Sequence, residues 1–138
     1  MKKEKQAPKV KVLTDKQVRN KLWEECKRII RLRYQRSDGL WNCFTCGRLV
    51  DEPSKAQTGH FIPSSIGGAS LRYNLDNLRI QCYNCNINLG GYGAAYTIAL
   101  KKEKGQKHID KLFQLKNQSI KASDHFRILL EQYKKVVS

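Results

Sequence analysis

The sequence predicts a small α+β protein, in which a short, cysteine-stapled core of strands and knuckles lies between basic helices. Three observations lead there. Apolar residues recur at helical spacing over residues 14–37 and again over 93–138. Residues 40–92 are instead broken into short pieces by Gly, Pro and Asn, and they hold four of the five cysteines. The charge follows the same division, with a net of +9 over residues 1–37, 0 over 38–92 and +6 over 93–138. A chain of 138 residues suits one domain with one modest core.

Taken in order, residues 1–13 read as a flexible basic arm, because five lysines and Pro8 leave little to bury. Thr14-Asp15-Lys16-Gln17 has the form of a capping box, with a hydroxyl at the N-cap and a glutamine three residues on. Val18, Leu22, Cys26, Ile29 and Ile30 follow on one helical face, with Trp23 and Tyr34 at its margin. Ser37-Asp38-Gly39 is the expected stop. After Gly91, a helix is expected over Ala94 to Lys104, closed by Gly105 as the C′ residue. Ile109, Leu112, Phe113 and Leu115 mark a second helix. Ser123 is the expected N-cap of a third, with Phe126, Leu129, Leu130 and Tyr133 facing inward. Residues 14–138 are thus read as one domain around the 40–92 core.

That core has too little periodic apolar sequence to order itself, and the cysteines supply another source of order. Cys43-Phe-Thr-Cys46 and Cys82-Tyr-Asn-Cys85 are matched C-x-x-C pairs. Two intervening residues let the chain turn so that both thiolates of a pair face one ion, and two pairs make a closed tetrahedral zinc set. Four buried or redox-active cysteines without metal are the alternative, but no βαβ pattern surrounds either pair. With four protein ligands the zinc is expected to be structural and to offset the small core. Cys26, on an apolar helix face, reads as a core residue.

The net charge of +15 points to a polyanionic partner. No segment joins a lysine face to a bulky apolar face suited to lipid, and no apolar run is long enough to cross a bilayer, so no membrane partner is expected. The lysines near the N-terminus lack the apolar stretch of a secretory signal, and a cytoplasmic, reducing location is the default expectation.

Between the cysteine pairs lie Thr58-Gly59-His60-Phe61-Ile62-Pro63, a Gly/Ser-rich loop, and Asn74-Leu75-Asp76-Asn77-Leu78-Arg79-Ile80-Gln81; Asn86 follows Cys85 directly. A strand ending in His, a loop, an Asn before a second strand, and a knuckle opening a short helix form an ordered set. This order resembles the HNH superfamily of nucleases, also called His-Me finger or ββα-metal, with Asn in the last position. The layout of four cysteines with Asn after the last is also similar to that of phage endonuclease VII. The likeness extends furthest to the phage NinG/Rap recombination family, through Ile29-Ile30-Arg31-Leu32-Arg33, Cys43 to Gly47, Gly59-His60-Phe61, Leu71-Arg72-Tyr73, Gln81-Cys82 and Cys85-Asn86.

The resemblance implies a metal-dependent DNA endonuclease that cuts branched recombination intermediates such as D-loops or Holliday junctions. His60 would be the general base, since an imidazole near neutrality accepts a proton from water at working pH. Zinc would be structural, and a catalytic Mg²⁺ or Mn²⁺ would be contacted by His60 and Asn86, with Asn88 a fallback. Asn77 would pin the loop and orient His60 through hydrogen bonds. Arg72 and Arg79, two of four basic residues in the neutral centre, are candidate phosphate contacts, with Lys55 a weaker one and Arg28 and Arg31 on the first helix. His108 and His125 read as structural or solvent-facing. Many relatives have a metal-binding Asp before the catalytic His; here Gly59 stands there, which leaves Asp76, Asp51, Glu52, or phosphate and water to fill the shell. A junction has two strands to cut, so a homodimer with two sites would suit it. Two other readings stand beside this one: a non-catalytic zinc module that binds nucleic acid, and an HNH nuclease with a restriction or homing target.

Overall fold

The structure is a computed structural model that describes residues 11–116 and 118–137. Most of the expected basic arm, residues 1–10, lies outside the described residues. Helix α1 (Asp15–Tyr34) opens as its sequence dictates. The Thr14 hydroxyl accepts from the Gln17 amide, and the Gln17 side chain accepts from the Thr14 amide, closing the capping box. Val18, Leu22, Cys26, Ile29 and Ile30 are all buried. The helix stops three residues short of the expected turn because Gln35 adopts an extended conformation; Gly39, at φ 85°, completes the turn itself.

Two small antiparallel hairpins follow. Strands β1 (Trp41–Asn42) and β2 (Leu49–Val50) pair across the first cysteine knuckle. Strands β3 (Gln57–His60) and β4 (Leu78–Gln81) pair with Gln57 opposite Gln81, Gly59 opposite Arg79 and His60 opposite Leu78. All four residues of β4 are buried, as expected for a strand covered on both faces. The Phe44 amide donates to the Ile80 carbonyl (2.8 Å) and joins the first knuckle to β4. The Gly/Ser-rich loop between β3 and β4 is not plain loop. It forms two single-turn helices, α2 (Ser64–Gly67) and α3 (Ala69–Arg72).

After β4 the second knuckle leads into a π-helical turn, Asn84–Asn88, where a short helix was expected. Helix α4 (Gly93–Lys104) ends at Gly105, φ 89°, and α5 (Gln106–Lys116) and α6 (Ala122–Lys134) complete the chain. Two details differ from expectation. Ser123 is not the N-cap of α6; it lies in the first turn and donates to Asp15 across the α1–α6 interface, so tertiary pairing takes the hydroxyl that would have capped. Phe113 is 47% exposed, because α5 turns Ile109 and Leu112 inward.

The core has two parts. The larger packs α1 and α6 against β1, β2 and β4 through residues such as Leu22, Ile30, Trp41, Ile80 and Phe126. The smaller gathers Phe61, Ile62, Leu71, Tyr96, Leu100, Ile109 and Leu112 beneath the β3–β4 connection. His60 closes β3 and Gln81 closes β4. Among the described residues, no helix is long and apolar enough to cross a membrane.

Candidate metal centre and the His60 cleft

The two knuckles converge. The sulfur atoms of Cys43, Cys46, Cys82 and Cys85 all lie within 4.8 Å of one another, and the Cys46 and Cys82 sulfurs are 3.8 Å apart. Four sulfurs at about 2.3 Å from a zinc ion form a tetrahedron with edges of about 3.8 Å, so the set fits that ion. Local geometry explains the fit. Gly47, at φ 76°, turns the first knuckle with its amide on the Cys43 carbonyl (2.8 Å). The Asn86 amide bonds the Cys82 carbonyl (3.0 Å) in the second, and the Cys85 amide points at the Cys82 sulfur (3.5 Å). Among the described residues this is the one cluster of three or more His, Cys, Asp or Glu side chains close enough to share an ion. Cys26 stands apart. It is fully buried, its thiol lies 3.6 Å from the Tyr73 carbonyl, and burial pushes its pKa up to about 12, so it is an inert core thiol.

His60 ends β3 at the edge of an open cleft of ≈ 230 Å³ lined by Arg19, Asn20, Trp23, Ser64, Arg72 and Tyr73. Its ring stacks on the Trp23 indole, with centroids 5.4 Å apart and planes 9° from parallel. Its Nε2 lies 2.8 Å from the Arg72 carbonyl oxygen. A carbonyl only accepts, so Nε2 must carry the proton, and in the neutral ring the free lone pair is on Nδ1. Burial lowers the pKa of His60 below the ordinary histidine value; the Arg72 carbonyl opposes this and the Arg72 charge adds to it.

Asn77 is fully buried and sits behind this cleft. Its Oδ1 accepts from the Ile62 amide (2.8 Å), and its Nδ2 donates to the carbonyls of Ile62 (3.0 Å) and Leu71 (3.3 Å). Its own carbonyl accepts from the Phe61 amide (2.9 Å). It therefore ties both ends of the loop that runs from the residues after His60 to the residue before Arg72, without touching the imidazole.

Asn86 is half-buried. Its Nδ2 donates to Gln57 Oε1 (2.8 Å), and its Oδ1 faces Gly59. It is not among the residues lining the His60 cleft. The two are joined through adjacent positions of β3, with Gly59 against Asn86 and His60 in the cleft. Asn88 is exposed and bonds Asn84.

The basic candidates separate sharply. Arg79 is no phosphate contact, because its side chain is only 3% exposed. It pairs with Glu103 (3.0 Å), donates to the carbonyls of Leu75, Asp76 and Leu78, and lies over the rings of Tyr34 and Phe44. Arg28 and Arg31 are corrected in part. Arg28 is spent on Glu25 and the Tyr133 carbonyl, and Arg31 on the Pro53 and Ala56 carbonyls, with its guanidinium over Trp41. Both brace the fold from α1. Arg72 is exposed and lines the cleft, and Lys55 is exposed with Glu52 3.4 Å away. His108 bonds the Asp76 carbonyl (3.2 Å), and His125 lies beside Phe126.

Sequence reasoning missed Arg19, Gln57 and Gln81. A glutamine inside a strand with no exposed face needs buried partners, and that was the available signal for Gln81. Arg19 and Asn20 join the cleft only because α1 packs across the β3–β4 hairpin, a tertiary fact with no local signature.

Fold and site together define a mixed helix and small-sheet protein carrying a four-cysteine cluster that could hold zinc. Residues 1–138 match the family model described as NinG: Bacteriophage Lambda NinG protein. The match spans the whole chain, and the chain belongs to that family. No curated protein and no solved structure matches it.

Proposed function

We propose that this chain is a divalent-metal-dependent DNA endonuclease of the HNH type, acting on branched recombination intermediates, with His60 as general base. The observation that carries the reading is the fixed tautomer of His60. The Arg72 carbonyl holds the proton on Nε2 and leaves Nδ1 with an open lone pair in a cleft lined by Arg19 and Arg72. Its lowered pKa keeps the ring neutral, and so basic, at working pH. Family membership and the Cys₄ cluster support the same reading.

The chemistry follows from the residues. Arg19 and Arg72 draw a phosphodiester into the cleft. Nδ1 of His60 takes a proton from water as its oxygen attacks phosphorus. The imidazolium that forms keeps its Nε2 bond to the Arg72 carbonyl and lies against the Trp23 ring, a favourable face for a cation. The P–O bond to the departing sugar oxygen breaks, and that oxygen takes a proton from solvent water. A divalent ion, when bound, supplies charge stabilisation at the phosphate and the leaving oxygen. Asn86, with its amide oxygen directed at Gly59, is the residue that would hold it. The four cysteines would keep the second knuckle, and with it Asn86, in register with β3.

A non-catalytic zinc module that only binds DNA is the competing reading, favoured by one observation: the imidazole already has a stacking partner and a hydrogen bond, as a purely structural histidine would. A nicking assay in Mg²⁺ or Mn²⁺ on Holliday junctions, D-loops and linear duplex separates them, at a stated salt concentration because phosphate contacts dominate affinity. The nuclease reading expects cleavage, preferentially of branched DNA, that falls at least a hundredfold in His60→Ala (the usual scale for a general base) while binding survives. Wild-type protein that never nicks any of the three substrates would leave the binding module. Preference for linear duplex would point to a restriction or homing target.

A further inference from the structure

Gly59 occupies the position before His60, and its surroundings are unusual. A Cβ built there would overlap Gln81 Oε1 and would lie 3.1 Å from Asn86 Oδ1. Two side-chain oxygens from different elements therefore border the one spot that a side chain at 59 would fill. They are within about 5 Å of one another, a gap that a single cation with metal–oxygen bonds of about 2.1 Å closes with small side-chain adjustments.

Both amides are hydrogen-bonded through their nitrogens. Gln81 Nε2 donates to the Gly91 carbonyl (2.8 Å) and to Thr45 Oγ1 (3.1 Å). Because the Gly91 carbonyl only accepts, the amide cannot be turned round, and Oε1 must face Gly59. Asn86 Nδ2 donates to Gln57 Oε1, and Asn86 Oδ1 lies toward the same place. Gln81 is fully buried, and its Oε1 has no hydrogen-bond donor. A buried carbonyl oxygen without a partner is costly and uncommon. Here it also faces a second acceptor, so neither can satisfy the other. A cation between the two oxygens would partner both at once.

We infer that Gln81 Oε1 and Asn86 Oδ1 together bind the divalent cation, Gln81 reaching across from β4 into the space that Gly59 leaves empty. This rests on the nuclease reading for the ion's role, but the site itself is argued from the two amides. Asn86, half-buried, gives the ion access to solvent, and water and phosphate oxygens complete its shell. None of Asp51, Glu52 or Asp76, the carboxylates considered from sequence, is needed. An ion held by neutral oxygens binds more weakly than one held by a carboxylate, because no ligand charge offsets its dehydration.

The test is Mn²⁺ binding by zinc-loaded, full-length protein without DNA, read from the electron paramagnetic resonance of free Mn²⁺. Wild type should bind one Mn²⁺. Gln81→Met, similar in shape but lacking the oxygen, should weaken binding at least tenfold, as should Asn86→Leu. Gln81→Glu should tighten it at least tenfold. Zinc content and circular dichroism report whether each variant is folded. Should Gln81→Met fail to fold, Gln81→Glu decides alone. Mn²⁺ affinity equal to wild type in a folded Gln81→Met or in Gln81→Glu overturns the inference, as does a wild-type protein that binds no Mn²⁺. Nicking by wild type with Mn²⁺ affinity indifferent to residue 81 removes this inference and leaves the nuclease. Mn²⁺ binding governed by residue 81 in a protein that never nicks keeps the site and removes the nuclease.

Discussion

Replacing Asn77 by Ala strips the β3–β4 connection of its internal tie. Three buried backbone groups each lose a bond: the Ile62 amide and carbonyl, bonded at 2.8 and 3.0 Å, and the Leu71 carbonyl, bonded at 3.3 Å, which keeps the Asn74 amide. A buried hydrogen bond contributes about 1–1.5 kcal/mol net, and leaving its partner unsatisfied costs up to about 3. Three bonds on one side chain are not independent, so we expect about 3–4 kcal/mol in total. Against the roughly 5–15 kcal/mol that holds a domain folded, that is a large fraction. Asn77→Asp should be no milder. It keeps the acceptor for the Ile62 amide but cannot donate to two carbonyls, and it places a carboxylate where nothing is exposed. Urea unfolding of the zinc-loaded protein, followed by the fluorescence of Trp23 and Trp41, measures the loss. A second readout tests the link to His60. The Nε2 proton, hydrogen-bonded to the Arg72 carbonyl, should shift or exchange faster in the variant, because Leu71 no longer anchors that carbonyl. A destabilisation below about 1 kcal/mol, outside the range worked from the bonds, would refute the reasoning, and an unmoved His60 signal would reduce Asn77 to a folding residue.

Four further outcomes are expected. Replacing any one of Cys43, Cys46, Cys82 or Cys85 by Ser should abolish stoichiometric zinc binding and melt the knuckles, whereas Cys26→Ala should keep the zinc; Co²⁺ substitution, read by its thiolate absorption, checks this. Arg79→Gln should cost about 2–4 kcal/mol, because the Leu75, Asp76 and Leu78 carbonyls lose a buried donor and Tyr34 and Phe44 lose the guanidinium packed on them, with no change in the salt dependence of DNA binding. Arg72→Gln should do the reverse, changing stability by less than about 0.5 kcal/mol while lowering the salt slope by about one unit. The acid limb of the cleavage rate should lie below pH 6.5. His60 works as a base only when neutral, its pKa is depressed by burial, and protonation therefore extinguishes activity only after the pH has fallen past the ordinary histidine value.

What the sequence made legible was whatever local chemistry decides. The capping box at Thr14 and the five-residue stripe on α1 need only neighbours in the same helix, and both are as expected. The cysteine pairs signal a four-sulfur cluster through spacing alone, and the sulfurs are found together. The basic residues misled because a guanidinium is equally at home on a phosphate and on a set of backbone carbonyls. Only the packing of Tyr34 and Phe44 over Arg79, with Glu103 arriving from α4, decides between the two. Ser123 failed as an N-cap for a related reason, since Asp15 on α1 competes for its hydroxyl. Trp23, placed at the margin of the apolar stripe, proved to be the surface on which His60 rests. Its position in the helix was legible, but its partner lies 37 residues away in the chain.

The distribution of charge acquires a physical sense in this arrangement. Under the nuclease reading, the groups around a reacting phosphate would be a neutral imidazole, the two amide oxygens that hold the ion, and Arg19 and Arg72, while the rest of the positive excess lies on the flanking segments. Carboxylates beside the scissile phosphate would hold a cation tightly, but they would also repel the substrate. Amide oxygens avoid that repulsion at the expense of metal affinity. A bound phosphate would then supply the negative charge that the protein withholds, so ion and DNA would each strengthen the binding of the other, with one coupling energy acting in both directions. Under the nuclease reading the flanking helices would set how often DNA arrives, and the neutral centre would make the arrival of DNA the event that completes the cation's shell.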